Sequence, residues 1–365
     1  MLELQAQFGL EPFTAEPIAV IDSLGEELPL PAPLLRQLYR DLRRARRLDE
    51  ELPTLLATGK TSFYMPVAGH EAAQVGLAQA LRPGKDWVFP YYRDTALVLA
   101  LGLPLVEFLA QLMATRADPS KGRQMPHHPS SRALNIFSVA STIAAHIPTA
   151  AGAALGAKLK RSGEVVLASF GEGATSEGEF HTGLNLAAVQ KAPLLLACQN
   201  NGYAISVPAC AQSAPARIVE KAHGYGIPGY LVDGMDPIAS LLVAQAAVEQ
   251  IREGSGPILI EFVVARFGPH SSSDDQLRYR PQAELEAEQK HDPIPRLAAF
   301  LRSRGLWDDA AEQVLSSELE AELDSALLQA EASGPVPPEW LFDDVYAEPT
   351  PLLQLQRNLL DEEIS

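Results

Sequence analysis

SFGEGATSEGEF, residues Ser169 to Phe180, joins an apolar run to a helical pattern through two glycines with a glutamate between them. The upstream run, EVVLASF, reads as a buried strand, and SEGEFHTGLNLAAVQ reads as the helix that follows. PLLLACQN is a second apolar run that ends at Asn200 and Asn201, roughly 30 residues beyond Glu172. After the irregular YAISVPACAQSAP come a helix (IVEKAHGYG), a strand (GYLVDG), a long helix (PIASLLVAQAAVEQIREG) and a strand (PILIEFVVARF). Alternating strands and helices of these lengths predict an α/β fold, with a mostly parallel sheet flanked by helices and right-handed crossovers.

Ligands of such sheets bind beyond the carboxyl ends of the strands. Glu172 and the Asn200–Asn201 pair are one crossover apart, so both project from the same edge. A carboxylate, an amide oxygen and backbone carbonyls are hard oxygen ligands suited to magnesium, which keeps few protein ligands and shares phosphate oxygens. The glycines allow close backbone approach, and the helix start offers N–H groups to an anion. A Gly-acid-Gly turn before a helix is also a common structural device; the asparagine pair is what points to a metal.

The rest of the chain frames this unit. Residues 1–32 are Pro-punctuated and read as an N-terminal arm, residues 33–292 as the α/β domain, and residues 293–365 as a helical, acidic C-terminal extension. Helices are expected over 34–58 and 70–81, and two more across ALVLALGLPLVEFLAQLMAT, broken at Gly102-Leu103-Pro104. WVFPYYRD reads as a short aromatic strand running into a loop, and residues 117–141 as a long irregular stretch of the kind that is functional or disordered. AHIPTAAGAALGAKLK is a small-residue helix suited to close packing in a core or at a subunit contact. RDLRRARR, within the first helix, reads as a solvated or subunit-facing surface.

Composition narrows the classes. A net charge of −17 argues against nucleic acid or an anionic membrane as partner, and no apolar segment is long enough to span a bilayer. The N-terminus carries neither a secretory nor a transit pattern, so a cytoplasmic setting is expected. Cys198 and Cys210 are too few for a disulfide framework. No Gly-Lys-Ser/Thr phosphate loop supports a nucleotide site.

The GEG-to-NN spacing is similar to the thiamine diphosphate-binding motif. SFYMPVAGHEAAQVG, FPYYRD, DPSKGRQMP, GEGATSEG, CQNNGYAIS, YLVDGMD and GPHSSSDDQLRYRP all resemble the alpha subunit of the 2-oxo acid dehydrogenase first component. Together they cover roughly residues 35 to 300. The stretch Ser271 to Asp275, and SFYM, resemble the branched-chain members more than the pyruvate members.

The resemblance implies thiamine diphosphate and Mg2+ as cofactors, with the metal held by Glu172, Asn201 and the carbonyl of Tyr203. It places the cofactor against Tyr91, Tyr92, Arg93, Ser141, Thr142, Ile143, Gly171, Glu172, Gly173, Ala174, Thr175, Ser176, Glu177, Asn201, Gly202, Tyr203, Ala204, Ile205 and His270. His270 is the implied catalytic histidine, suited to proton exchange near neutral pH. Phe63, Tyr92, Met125, Pro126, His127, His128 and Ser141 are the implied substrate contacts.

Two kinds of partner are implied: a beta subunit, which supplies a glutamate beside the cofactor's pyrimidine in an α2β2 heterotetramer, and a lipoyl-bearing acyltransferase core. The implied reaction is oxidative decarboxylation of branched-chain 2-oxo acids. A pyruvate or acetoin dehydrogenase alpha subunit is the alternative within the class, and a magnesium-nucleotide or scaffold subunit the alternative outside it. The chain departs from its relatives at Ala145-His146, where some hold potassium with a Thr-Gln pair, and at Gln199, where some carry a basic residue that contacts the diphosphate. Ser271 stands where mitochondrial relatives are phosphorylated and is read here as a loop serine.

Overall fold

A computed structural model describes residues 10–24 and 30–364; the rest of the expected arm lies outside the described residues. Five strands form one parallel sheet: β1 (Trp87–Phe89), β2 (Val166–Gly171), β3 (Leu194–Asn200), β6 (Gly229–Asp233) and β7 (Ile258–Val263), in the spatial order β1-β2-β3-β7-β6. A small antiparallel hairpin, β4 (Tyr203–Ala204) with β5 (Val207–Pro208), rises from the loop after β3. The expected aromatic strand stops at Phe89, because Pro90 cannot donate to a ladder.

The strands read as continuous apolar runs because both faces are covered. Side chains alternate between two cores: Leu167, Leu195, Ala197, Ile258 and Ile260 face one, while Val166, Ala168, Leu194, Leu196 and Leu259 face the other. The second core is closed by α5 (His146–Lys160) and α6 (Gly178–Gln190), whose alanines let the helices lie close. The first is closed by α2 (Glu71–Ala80) and α7 (Pro237–Arg252), with α1 (Ala32–Ala57), α3 (Thr95–Ala100) and α4 (Leu105–Leu112) outside them. Gly102, at φ +98, makes the break between α3 and α4, in a region of backbone space that favours glycine.

The chain steps from β2 to its neighbour β3, passes over one position to β6, then turns back to β7. That reversal opens a crevice beyond the ends of β2, β3 and β7. The described part of the arm runs beside β6, where Ile18 N donates to Leu231 O at 2.9 Å and Asp233 N to Ile18 O at 2.9 Å. It thereby covers an edge that would otherwise offer unpaired backbone groups.

Two expectations change. IVEKAHGYG folds as a 3-10 helix, Ile218–Tyr225, rather than an α-helix, closed by Gly226 in the left-handed region. The basic run of α1 is not a free surface: Arg40, Arg43, Arg44 and Arg47 pair with Glu318, Glu312, Glu322 and Glu320 of α10 (Asp309–Ala332). The acidic tail supplies the countercharge within the same chain. Leu315, Leu319 and Leu323 of α10 and Leu297 and Leu301 of α9 (Pro293–Ser303; α8 is Gln282–Gln289 and α11 Pro351–Ile364) join the first core. Among the described residues no helix is long and apolar enough to cross a membrane.

Candidate active site

A cavity of ≈ 560 Å³ opens at the strand ends. Its wall includes Tyr91, Tyr92 and Arg93 after β1, Ser141, Thr142 and Ile143 before α5, and Gly171 at the end of β2 with Glu172, Gly173, Ala174 and Glu177 following it. Asn201, Tyr203, Ala204 and Ile205 after β3 and His270 after β7 complete it. Five segments far apart in the chain thus converge on one cavity. Met65 and Glu179 also line the wall and were not anticipated.

Glu172 begins a 3-10 turn, Glu172–Ser176, that precedes α6. Its side chain is only 2% exposed. Oε2 accepts from Asn201 N at 3.3 Å, while Oε1 has no hydrogen-bond partner among the described residues. Burial raises the carboxyl pKa, with hydrogen bonds from backbone N–H groups and the charges of Arg266 and Arg93 opposing it. A buried carboxylate oxygen without a donor is costly unless a cation meets it. The amide of Asn201 and the backbone around Tyr203 adjoin it, with Tyr203 N donating to Asn201 Oδ1 at 3.1 Å. The donor set is all oxygen, as magnesium requires. Gly173 is sterically obligatory, since a Cβ there would stand 2.8 Å from Ala204 Cβ.

On the opposite wall Arg93 is buried and fixed: Nη1 donates to Pro66 O at 2.6 Å, and Nη2 reaches His270 O at 3.1 Å and His270 Nδ1 at 3.3 Å. As a guanidinium only donates, Nδ1 is the acceptor and the imidazole proton sits on Nε2. The His270 ring meets Tyr92 edge-on at 5.8 Å, and its backbone N donates to Asp274 Oδ2 at 2.7 Å. Burial, then the charges of Arg93 and Arg266, push its pKa down to about 3, so the ring is neutral at pH 7. Arg266 is buried with Nε and Nη1 unpartnered among the described residues, and it adds positive field to this wall.

The remaining expected contacts divide. Met125 lines the cavity, and its sulfur receives Ser141 Oγ at 3.4 Å. His128 is buried behind the wall and reaches Ser141 Oγ through Nε2 at 2.7 Å. His127 turns away into the core instead, bonded to Thr95 Oγ1 at 2.8 Å and edge-on to Phe108. Phe63, Pro126, Thr175, Ser176 and Gly202 stand outside the wall. Thr175 Oγ1 donates to Glu172 O at 2.8 Å and so braces the turn. Gln199 faces away from the cavity, fully buried against Asp94 and Ser169. His146 holds Ser169 O at 2.8 Å through Nε2, and Ser271 Oγ lies 3.1 Å from Ser273 Oγ.

Residues 40–339 match the family described as Dehydrogenase E1 component. The chain belongs to that family, whose members are thiamine diphosphate-dependent first components of 2-oxo acid dehydrogenases. Its relatives place it among the alpha subunits. It is 40% identical to the 2-oxoisovalerate dehydrogenase subunit alpha of Bacillus subtilis (strain 168) over 312 residues, which is 85% of this chain and 94% of that one. It is 39% identical to the 3-methyl-2-oxobutanoate dehydrogenase subunit alpha of Mycobacterium tuberculosis over 343 residues, 92% of this chain and 89% of the relative. Against the human mitochondrial 2-oxoisovalerate dehydrogenase subunit alpha it is 37% identical over 337 residues, 92% and 76% of the two chains.

Proposed function

We propose that this chain is the alpha subunit of a first component that oxidatively decarboxylates branched-chain 2-oxo acids and passes the acyl group to a lipoyl group on an acyltransferase core. The observation that carries it is Glu172: a buried carboxylate with one unmatched oxygen, beside Asn201 and Tyr203 at the strand ends. Mg2+ bound by Glu172, Asn201 and the Tyr203 carbonyl supplies the missing charge. Arg93, which lines the opposite wall, would offer its guanidinium to the diphosphate. Once bound, thiamine diphosphate supplies the nucleophilic carbon and the electron sink for loss of carbon dioxide.

The chain's own residues bind, orient and manage protons. Arg93 holds His270 in one tautomer, so that Nε2–H is the proton available to the reacting groups. Tyr92 packs on that ring and, with Met125 and Ser141, gives a mostly apolar wall for a branched side chain. The site is completed by a beta subunit, in a cytoplasmic α2β2 assembly; α5 and the N-terminal arm are the surfaces proposed to meet it.

The test is co-expression with a candidate beta subunit and assay of 3-methyl-2-oxobutanoate against pyruvate, with and without thiamine diphosphate and Mg2+. Cofactor-dependent turnover that prefers the branched acid and is lost in Glu172→Ala supports the reading. Preference for pyruvate overturns the substrate, and a well-formed tetramer with no cofactor-dependent turnover overturns the enzyme.

A further inference from the structure

A chain of oriented hydrogen bonds leads from the core to Asn201, and its direction can be read from one end. Asp94 accepts on both oxygens: Oδ2 from Tyr91 N at 3.0 Å, and Oδ1 from Ser169 Oγ at 3.2 Å and Gln199 Nε2 at 2.6 Å. With its nitrogen committed there, and also to Ser169 Oγ at 2.9 Å, Gln199 turns Oε1 the other way. Gln74 Nε2 at 2.9 Å, Tyr91 OH at 3.3 Å and His70 Nδ1 at 2.9 Å all meet that oxygen. An amide oxygen only accepts, so the His70 proton is on Nδ1 and Nε2 is bare. Asn201 Nδ2 then donates to Nε2 at 3.3 Å. Its Oδ1 is left with one bond, from Tyr203 N, and one free lone pair. His70, Gln74 and Gln199 are each fully buried, and none of them lines the cavity.

We propose that His70 is a positioning residue of the metal site: held by Gln199 in its Nδ1–H tautomer, it binds the Asn201 amide nitrogen and so keeps the amide oxygen turned to the cation. This inference rests on the metal set proposed above. Without that bond the amide is held only by Tyr203 N at Oδ1, and a flip, which would present NH2 to a cation and repel it, is opposed by one hydrogen bond in place of two. In this chain the Gln199 amide orients a histidine.

The test uses the assembled alpha–beta complex with thiamine diphosphate and Mn2+ as the probe, read as free Mn2+ by electron paramagnetic resonance beside thermal midpoints. His70→Phe is expected to weaken Mn2+ binding about tenfold or more, in the range seen when a group that orients a metal ligand is removed. His70→Gln, which can offer Asn201 an amide oxygen, is expected to restore affinity to within about threefold of the parent. A lowered thermal midpoint with unchanged Mn2+ affinity in His70→Phe would mean a purely structural histidine and overturns the proposal. If His70→Phe does not fold, Gln199→Met takes its place: it keeps the ring and removes the acceptor that sets its tautomer. Weaker Mn2+ binding there supports the proposal, and parental affinity overturns it. Glu172→Gln separates the two readings. Loss of Mn2+ in that variant alone leaves the metal set standing and refutes the role of His70; retention of Mn2+ in it refutes the metal set, and the His70 proposal with it.

Discussion

Gly173→Ala asks whether the turn after β2 and the hairpin after β3 must touch for the metal to bind. The added Cβ would lie 2.8 Å from Ala204 Cβ. Carbon atoms pack at roughly 3.5 Å or more, so the two segments must part by about 0.7 Å. Mg2+ holds its ligands near 2.0–2.1 Å in an octahedron, with a tolerance of about 0.2 Å. The displacement exceeds that tolerance about threefold and separates Glu172 from Tyr203. Overpacking adds about 1–3 kcal/mol of destabilisation. The expected result, by isothermal titration of Mg2+ into the alpha–beta complex with thiamine diphosphate, is an affinity at least about tenfold weaker. The geometry also specifies the rescue. With Ala204→Gly added, the nearest atom to the new Cβ becomes the residue-204 Cα at 3.7 Å, an ordinary contact. The double variant should therefore recover most of the affinity. Parental affinity in the single variant, or no recovery in the double, would refute the reasoning.

Four further perturbations follow from the site and its supports. Arg46→Met should cost about 3–5 kcal/mol in unfolding experiments, because it strands the fully buried Glu71. Arg47→Ala, which breaks partly exposed pairs, should cost less than about 1 kcal/mol; equal losses would disprove the distinction. Arg93→Lys should lower turnover about tenfold or more and raise the thiamine diphosphate requirement, since an ammonium cannot span Pro66 O and His270 together; parental kinetics would exclude the clamp. His127 is pushed down to about 3, by burial first and then by His128 and Arg93. The unfolded chain therefore binds a proton below about pH 6.5 that the folded chain refuses until about pH 3, so this stability is complete above the window and lost on acidification through it. His127→Gln should flatten that limb of the unfolding free-energy profile by up to about 1.4 kcal/mol per pH unit, and an unchanged slope would rule His127 out. Asp94, pushed up to about 7 by burial, acts in the opposite sense, losing stability as pH rises towards 7, which is why the paired comparison is needed.

The strands and the site edge were legible because their signals are local. VVLASF and PLLLACQN are apolar on both faces, and the glycines around Glu172 mark the strand end by themselves. The network beneath the cavity was not legible. His70, Gln74, Asp94, Ser169 and Gln199 are single polar letters in separate segments, and no periodicity says that they meet. Each looks like an ordinary helix or strand residue until the sheet brings them together. His127 was not legible for the same reason: the resemblance implied a substrate contact, yet Thr95 and Phe108 draw the ring inward. The arginines of α1 and the acids of α10 were visible as charges, but only the packing of the helices identifies them as each other's partners.

That last pairing has a consequence for synthesis. The helix carrying the arginines is complete at residue 57, and its acidic counterpart begins at residue 309. At about 5–20 residues per second, roughly 250 residues of translation separate them, or about 13–50 seconds. For that interval Arg40, Arg43 and Arg44 lack their acidic partners, and the helix's apolar face awaits Leu315, Leu319 and Leu323. The C-terminal helix therefore acts as the closing latch of the fold, bringing the acids that pair with Arg40, Arg43, Arg44 and Arg47 only after the sheet and its flanking helices have been made.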